Sequence, residues 1–99
     1  MAHATRISEG RIALNREPIE MNQLIRDEIE EVERLTNMHR FVMQLGELRT
    51  IDADKERMKQ VLTNLLANAI KYSPSGGEIV IRSEKADRGI KVSVADNGI

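Results

Sequence analysis

Residues 54–77 read DKERMKQVLTNLLANAIKYSPSGG and form the most regular stretch of the sequence. Apolar side chains recur in it every three or four residues, which is the spacing of a helix with one buried face. These residues are Met58, Val61, Leu62, Leu65, Leu66, Ala69 and Ile70. Asp54 suits the start of the helix, because its carboxylate can accept hydrogen bonds from the free amides of the first turn. Pro74 and the two glycines that follow Ser75 end the pattern, so the sequence predicts a helix between Asp54 and Ser73.

A second, polar stripe runs along the same predicted helix. Asn64, Asn68 and Lys71 are spaced so that they share a face, roughly 120° away from the centre of the apolar one. Amide oxygens can ligate Mg²⁺, which usually keeps several waters and also binds phosphate oxygens, and a lysine can neutralise phosphate. The same residues also suit an ordinary solvated helix face, and their spacing leaves both interpretations open.

The residues around this stripe favour the first interpretation. Residues 64–74 read NLLANAIKYSP and resemble the N box of sensor histidine kinases, and the upstream Asp54, Arg57 and Gln60 fit the same pattern. Residues 96–99 read DNGI and resemble the start of that family's first glycine box, Asp-x-Gly-x-Gly. Two boxes in the family's order and at its separation make the resemblance specific.

The resemblance implies ATP and Mg²⁺ as ligands of the N box. Asn68 would be the magnesium ligand, and Asn64, one turn earlier, would act at the phosphate end. Lys71 would contact phosphate, and Tyr72 would lie against the nucleotide, although a place at the rim of the core also suits a tyrosine. An asparagine cannot take up a proton, so neither carboxamide can be a general base. The sequence therefore favours phosphoryl transfer to a protein histidine over simple hydrolysis, and no residue of the chain is assigned a catalytic role.

The glycine box would supply the adenine contacts. Asp96 would accept a hydrogen bond from the adenine amino group, and Gly98 would let the backbone approach the base without a Cβ in the way. Alternatively, the two residues have only a structural role, at the end of a strand. His3 and His39 are not expected to be phosphoacceptors, because neither is followed by the acidic residue and proline of the family's phosphoacceptor motif.

The remaining patterns predict a strand near Ile19, an acidic amphipathic helix from Gln23 to about Asn37 capped by Asn22, and four further strands. The predicted strands are Arg40–Leu45, Leu48–Ala53, Glu78–Lys85 and the alternating segment after Gly89, which ends at Asp96. This order predicts an α+β fold, a two-layer sandwich with a mixed β-sheet and helices on one face. The resemblance implies the same architecture, as an incomplete Bergerat fold.

Composition limits the other function classes. The chain has 99 residues, a formal charge of −1, no cysteine, one Phe and one Tyr. One small domain is expected, and disulfides and thiolate metal sites are excluded. Near-neutral charge and scarce aromatic residues argue against nucleic acid as a partner. The resemblance implies a cytoplasmic location, in the soluble portion of a membrane-bound bacterial sensor kinase.

We expect residues 1–10 to be a leader and a remnant of the preceding helical hairpin, and residues 11–99 to be a partial ATP-binding domain. The second glycine of the first glycine box, the lid and the later glycine box are not in the sequence. The 99-residue chain is therefore expected to bind ATP weakly or not at all, and to be inactive alone. The implied partners of the whole protein are its own dimerisation and phosphoacceptor helical domain and a response regulator. Self-association of the chain is also expected, through an open edge at Ile90–Asp96.

Two alternatives to a histidine kinase stay open at this point. The chain could be a non-catalytic binding or dimerisation module that keeps the fold, or another Bergerat-fold ATPase such as an anti-sigma-factor serine kinase. The KYSP string at residues 71–74 is less typical of the second alternative.

Overall fold

Helix α2, Lys55–Lys71, forms where the apolar periodicity predicts it. Asp54 caps it, since its carboxylate accepts from the backbone N–H groups of Glu56 at 3.1 Å and Arg57 at 3.5 Å. The helix turns Leu62, Leu66 and Ala69 into the core. The computed structural model of the protein describes residues 2–8, 16–87 and 89–96.

Helix α1, Met21–Glu33, begins earlier and ends earlier than the sequence predicts. Glu20 occupies the cap position and makes no side-chain hydrogen bond there, so the assignment of Asn22 as the cap is wrong. The Asn22 carboxamide instead donates to the carbonyl of Gly46 and accepts from the hydroxyl of Ser83, both at 2.7 Å. Tertiary partners have replaced the local capping interaction, because they satisfy both ends of the amide.

Four strands form the main sheet, in the order β1-β6-β5-β3. They are β1 (Ala2–Ser8), β3 (His39–Leu45), β5 (Gly77–Ala86) and β6 (Gly89–Asp96). The β3–β5 pair is parallel and the other two pairs are antiparallel. Strands β2 (Arg16–Ile19) and β4 (Ile51–Asp54) form a separate two-stranded antiparallel sheet. The main sheet is therefore mixed, as the sequence predicts.

The two helices cover one face of the main sheet. Buried residues alternate along β5 and β6, and Ile81 pairs with Val94 while Ser83 pairs with Val92. Ile81, Val92 and Val94 share one core with the apolar faces of α1 and α2. Arg82, between two buried neighbours, is exposed on the opposite face. The predicted two-layer α+β architecture is confirmed.

Strand β1 is the main departure from the prediction. Residues 2–8 form a strand rather than the loose tail expected of a hairpin remnant, and they pair along β6 from Ala2 with Ala95 to Ser8 with Gly89. The prediction of an open edge at Ile90–Asp96 is therefore wrong. The backbone donors and acceptors of β6 are paired within the chain, which removes the template that an open edge would offer to another molecule. Whether residues 1–10 also belong to a preceding hairpin stays a prediction.

Candidate functional site

The two asparagines of the predicted N box lie one turn apart on the exposed side of α2. The residues that the helix buries, Leu62, Leu66 and Ala69, lie on its other side. Neither asparagine side chain hydrogen-bonds to another residue in the part of the chain that the structure describes. Both carboxamides are therefore available to a ligand, as the predicted polar stripe requires.

Lys71 and Tyr72 lie together at the carboxyl end of α2. The Lys71 Nζ atom is 5.8 Å from the centroid of the Tyr72 ring, and this contact contributes about 0.5–1 kcal/mol at an exposed site. Tyr72 is 40% exposed, so it is not a core residue. Lys71 also complements the negative end of the helix dipole, a structural role that it has with or without a ligand.

Asp96 is the last residue of β6 and continues the buried row of Ile90, Val92 and Val94. It pairs in register with Ile79, whose side chain is fully buried. The carboxylate therefore lies on the helix-covered face of the sheet, with 9% of the residue exposed. Gly98, the other predicted residue of the glycine box, is outside the described residues.

The topology brings the two boxes to the same end of the molecule. Strand β5 begins at Gly77, shortly after α2 ends, and β6 runs antiparallel to β5. Asp96 therefore lies at the end of the sheet where β5 starts and α2 finishes, and α2 packs against β6. Asn68 and Lys71 are in the last turns of α2, at this end, and Asn64 is one turn further away.

The donor set suits a metal that is shared with phosphate. Among residues 2–8, 16–87 and 89–96, no group of three or more His, Cys, Asp or Glu side chains could hold a metal ion by itself. The neutral oxygens of Asn64 and Asn68 can supply one or two ligands to Mg²⁺, which ordinarily binds substrate phosphates and water as well. The residues present thus fit Mg²⁺ that arrives with a nucleotide.

His39 is a residue near this site for which the sequence predicts no role. Its Nε2 atom lies 2.7 Å from the carbonyl oxygen of Ser73, the residue that follows Tyr72. Its Nδ1 atom lies 2.7 Å from the hydroxyl of Thr36. The Ser73 contact joins residues 34 positions apart, so no local pattern could reveal it.

Comparison with known proteins identifies the family. Residues 53–99, which include both boxes, match the family described as "Histidine kinase-, DNA gyrase B-, and HSP90-like ATPase". The adaptive-response sensory kinase SasA of Synechococcus elongatus is 46% identical over 54 residues, which are 54% of this chain and 14% of that protein. The chain therefore spans only a small part of this curated relative.

Solved structures extend the likeness to most of the fold. The catalytic domain of the histidine kinase ThkA is 33% identical, with a TM-score of 0.72, over 87% of this chain and 60% of that one. Full-length ShkA in complex with AMPPNP is 30% identical, with a TM-score of 0.73, over 88% of this chain and 19% of that one. Residues 53–99 therefore form part of a histidine kinase-, DNA gyrase B- and HSP90-like ATPase domain, and the described fold is that of part of a sensor histidine kinase catalytic domain.

Proposed function

We propose that the chain contributes the N-box side of a site that binds Mg²⁺ and ATP for transfer of the γ-phosphoryl group to a protein histidine. One observation carries the proposal. The available carboxamide of Asn68 and the buried carboxylate of Asp96 belong to elements that meet at one end of the same sheet face. The structure of ShkA, which contains AMPPNP, supports an adenine nucleotide as the ligand.

Each residue would act on a different part of the nucleotide. The Asn68 amide oxygen would bind the metal, Asn64 would orient the phosphates, and the Lys71 ammonium would balance their charge. The exposed ring of Tyr72 would lie against the nucleotide, and Asp96 would accept from the adenine amino group. Magnesium supplies charge neutralisation between phosphate oxygens when it is bound. Gly98 would leave room for the base.

The same residues limit the reaction that the site can support. Asparagine has no titratable proton, so neither Asn64 nor Asn68 can activate a water molecule as a general base. The site would therefore bind and orient the nucleotide, and its acceptor would be a histidine on a helical domain of the same protein. A response regulator would be the next acceptor. A cytoplasmic location within a bacterial sensor kinase follows from this proposal.

Neither helix of the described residues has the length and apolar character that a membrane span needs.

A nucleotide titration followed by NMR tests the proposal on this chain. We expect Mg²⁺ with AMPPNP to shift the amide signals of Asn68, Lys71, Tyr72 and Asp96, with a dissociation constant on the order of 1 mM. AMPPNP without Mg²⁺ should bind more weakly, and the guanine analogue should leave the Asp96 signal in place. A saturable response confined to residues elsewhere in the chain, or no response, would overturn the proposal.

Two variants assign the metal contact to one side chain. Asn68→Ala should abolish the gain in affinity that Mg²⁺ gives, while circular dichroism stays unchanged because the side chain is exposed. Gln23→Ala is the control, since Gln23 carries an exposed carboxamide on the other helix, α1, and belongs to neither box. In a complete kinase that carries this sequence, Asn68→Ala should also abolish autophosphorylation. Wild-type metal dependence in Asn68→Ala would show that the stripe is only a solvated face.

A further inference from the structure

The carboxyl end of α2 is fixed by a set of contacts centred on Ser73. Ser73 is 3% exposed, and its hydroxyl donates to the carbonyl of Ala69 at 2.7 Å. Its own carbonyl accepts from the backbone N–H of Gly76 at 3.0 Å and lies 2.7 Å from His39 Nε2. A carbonyl oxygen can only accept, so Nε2 of His39 must carry a proton and donate it.

The other ring nitrogen fixes the orientation of the imidazole. The Thr36 hydroxyl lies 2.7 Å from Nδ1, and in the neutral ring with a proton on Nε2 it donates to Nδ1. The same hydroxyl oxygen accepts from the backbone N–H of Met38 at 3.3 Å. His39 is half-buried and is thus held at both nitrogens, between the segment that follows α1 and the segment that ends α2.

A backbone contact beside His39 strengthens the same junction. The N–H of Gly77 donates to the carbonyl of Met38 at 3.0 Å, and His39 pairs in register with Gly77 at the start of the parallel β3–β5 pair. The ring is therefore anchored to the sheet, and through the Ser73 carbonyl it anchors the end of α2. Lys71 and Tyr72 are the two residues immediately before that carbonyl.

We propose that His39 is a positioning residue of the nucleotide site: its Nε2–H holds the Ser73 carbonyl and thereby fixes Lys71 and Tyr72 at the end of α2. This inference rests on the proposed function of Lys71 and Tyr72 as ligand contacts. His39 itself is separated from β6 by β5, so it lies about two strand spacings, roughly 10 Å, from the strand that bears Asp96. It therefore acts through α2 and not by touching the nucleotide.

Tyr72 offers a direct readout, because the chain has one tyrosine and no tryptophan. In the absence of nucleotide, His39→Leu should increase the quenching of tyrosine fluorescence by acrylamide, since the last turn of α2 loses an anchor. His39→Gln should restore the wild-type value, because a carboxamide can donate to Ser73 and accept from Thr36. Arg40→Leu is the matched control: it places the same side chain on the next residue of β3, which is exposed.

A second variant tests the same inference if His39→Leu folds poorly. Thr36→Val leaves the imidazole in place and removes only the hydroxyl that fixes its orientation. It should increase quenching in the same direction and by less. The ¹⁵N signals of the His39 ring in the wild-type protein should show a protonated Nε2, and a proton on Nδ1 alone would overturn the assignment.

Nucleotide binding by the same variants distinguishes failure of this inference from failure of the proposed function. His39→Leu should weaken Mg²⁺–AMPPNP binding about three- to tenfold, the effect of losing one hydrogen bond, and His39→Gln should bind like wild type. Unchanged quenching in His39→Leu overturns the inference, and so does changed quenching with wild-type affinity. If the wild-type chain gives no nucleotide response, the proposed function fails and the inference fails with it. If the wild-type chain binds nucleotide and His39→Leu changes neither quenching nor affinity, only the inference fails and the proposed function stands.

Discussion

Asp54 illustrates how much a single side chain can determine at the residue scale. It ends β4 and starts α2, and its carboxylate accepts from two backbone amides that otherwise lack helical partners. Asn22 shows the opposite case. It has the chemistry of a cap, yet it lies inside the first turn of α1 and joins Gly46 to Ser83. The residue type alone does not distinguish these two outcomes.

Replacing Asp54 by alanine should lower the free energy of unfolding by about 1 kcal/mol, because the first turn of α2 loses its acceptor. Urea denaturation followed by circular dichroism measures this change. Asp52→Ala is the control, since Asp52 is exposed on the same strand, and its effect should stay within about 0.5 kcal/mol. Equal effects of the two substitutions would show that the cap contributes nothing.

At the scale of elements, the turn between α2 and β5 couples the candidate site to the sheet. The turn is tight because Gly76 has a φ of +87° and its missing Cβ would lie 2.3 Å from the carbonyl oxygen of Met38. Only glycine fits such a position without moving the backbone. The same turn carries the Ser73 carbonyl that His39 holds, so the end of α2 is fixed by both its backbone and one side chain.

Gly76→Ala should therefore destabilise the protein by at least about 1 kcal/mol, because it adds left-handed backbone strain to a steric clash. Gly46→Ala is a graded comparison, since its Cβ would meet the Ser83 carbonyl at 2.8 Å and its φ lies outside the left-handed region. It should cost less. Urea denaturation ranks the two variants, and hydrogen exchange at Gly77 should accelerate in Gly76→Ala. A neutral Gly76→Ala would contradict this account of the turn.

At the scale of the whole molecule, β1 changes which strand is at the edge of the sheet. With β1 in place, the outermost strands of the main sheet are β1 and β3, and β6 is internal. The backbone groups of β6 are then paired on both sides, with β5 and with β1. Self-association through Ile90–Asp96 consequently requires β1 to leave first.

Deleting residues 1–8 should expose that edge and make the chain self-associate, because an unpaired strand recruits another strand. Sedimentation velocity over a concentration series would show the mass increasing in the truncated chain. Adding a peptide of residues 2–8 should reverse the effect, and a peptide of the same composition in scrambled order should not. A truncated chain that remains monomeric at every concentration would show that β1 does not protect the edge.

The sequence by itself determined the elements whose signals are local. The apolar period and the Asp54 cap predict α2, and the alternating pattern predicts β6. The strings NLLANAIKYSP and DNGI carry the family resemblance, and the match of residues 53–99 to the family confirms it. It also placed Asn64 and Asn68 on an exposed face, because the position of a residue around a helix follows from its spacing. Their roles toward Mg²⁺ and ATP remain a proposal.

Only the tertiary structure decided which distant segments meet. It buried the Glu28 carboxylate of α1, which accepts from the Thr63 hydroxyl of α2 at 3.1 Å. It also paired residues 2–8 with β6 and set His39 against Ser73. These contacts join residues far apart in the sequence. A hydrogen bond between distant segments forms only where the packing of the layers brings the two groups within about 3 Å. The spacing of residues along one segment does not determine that distance.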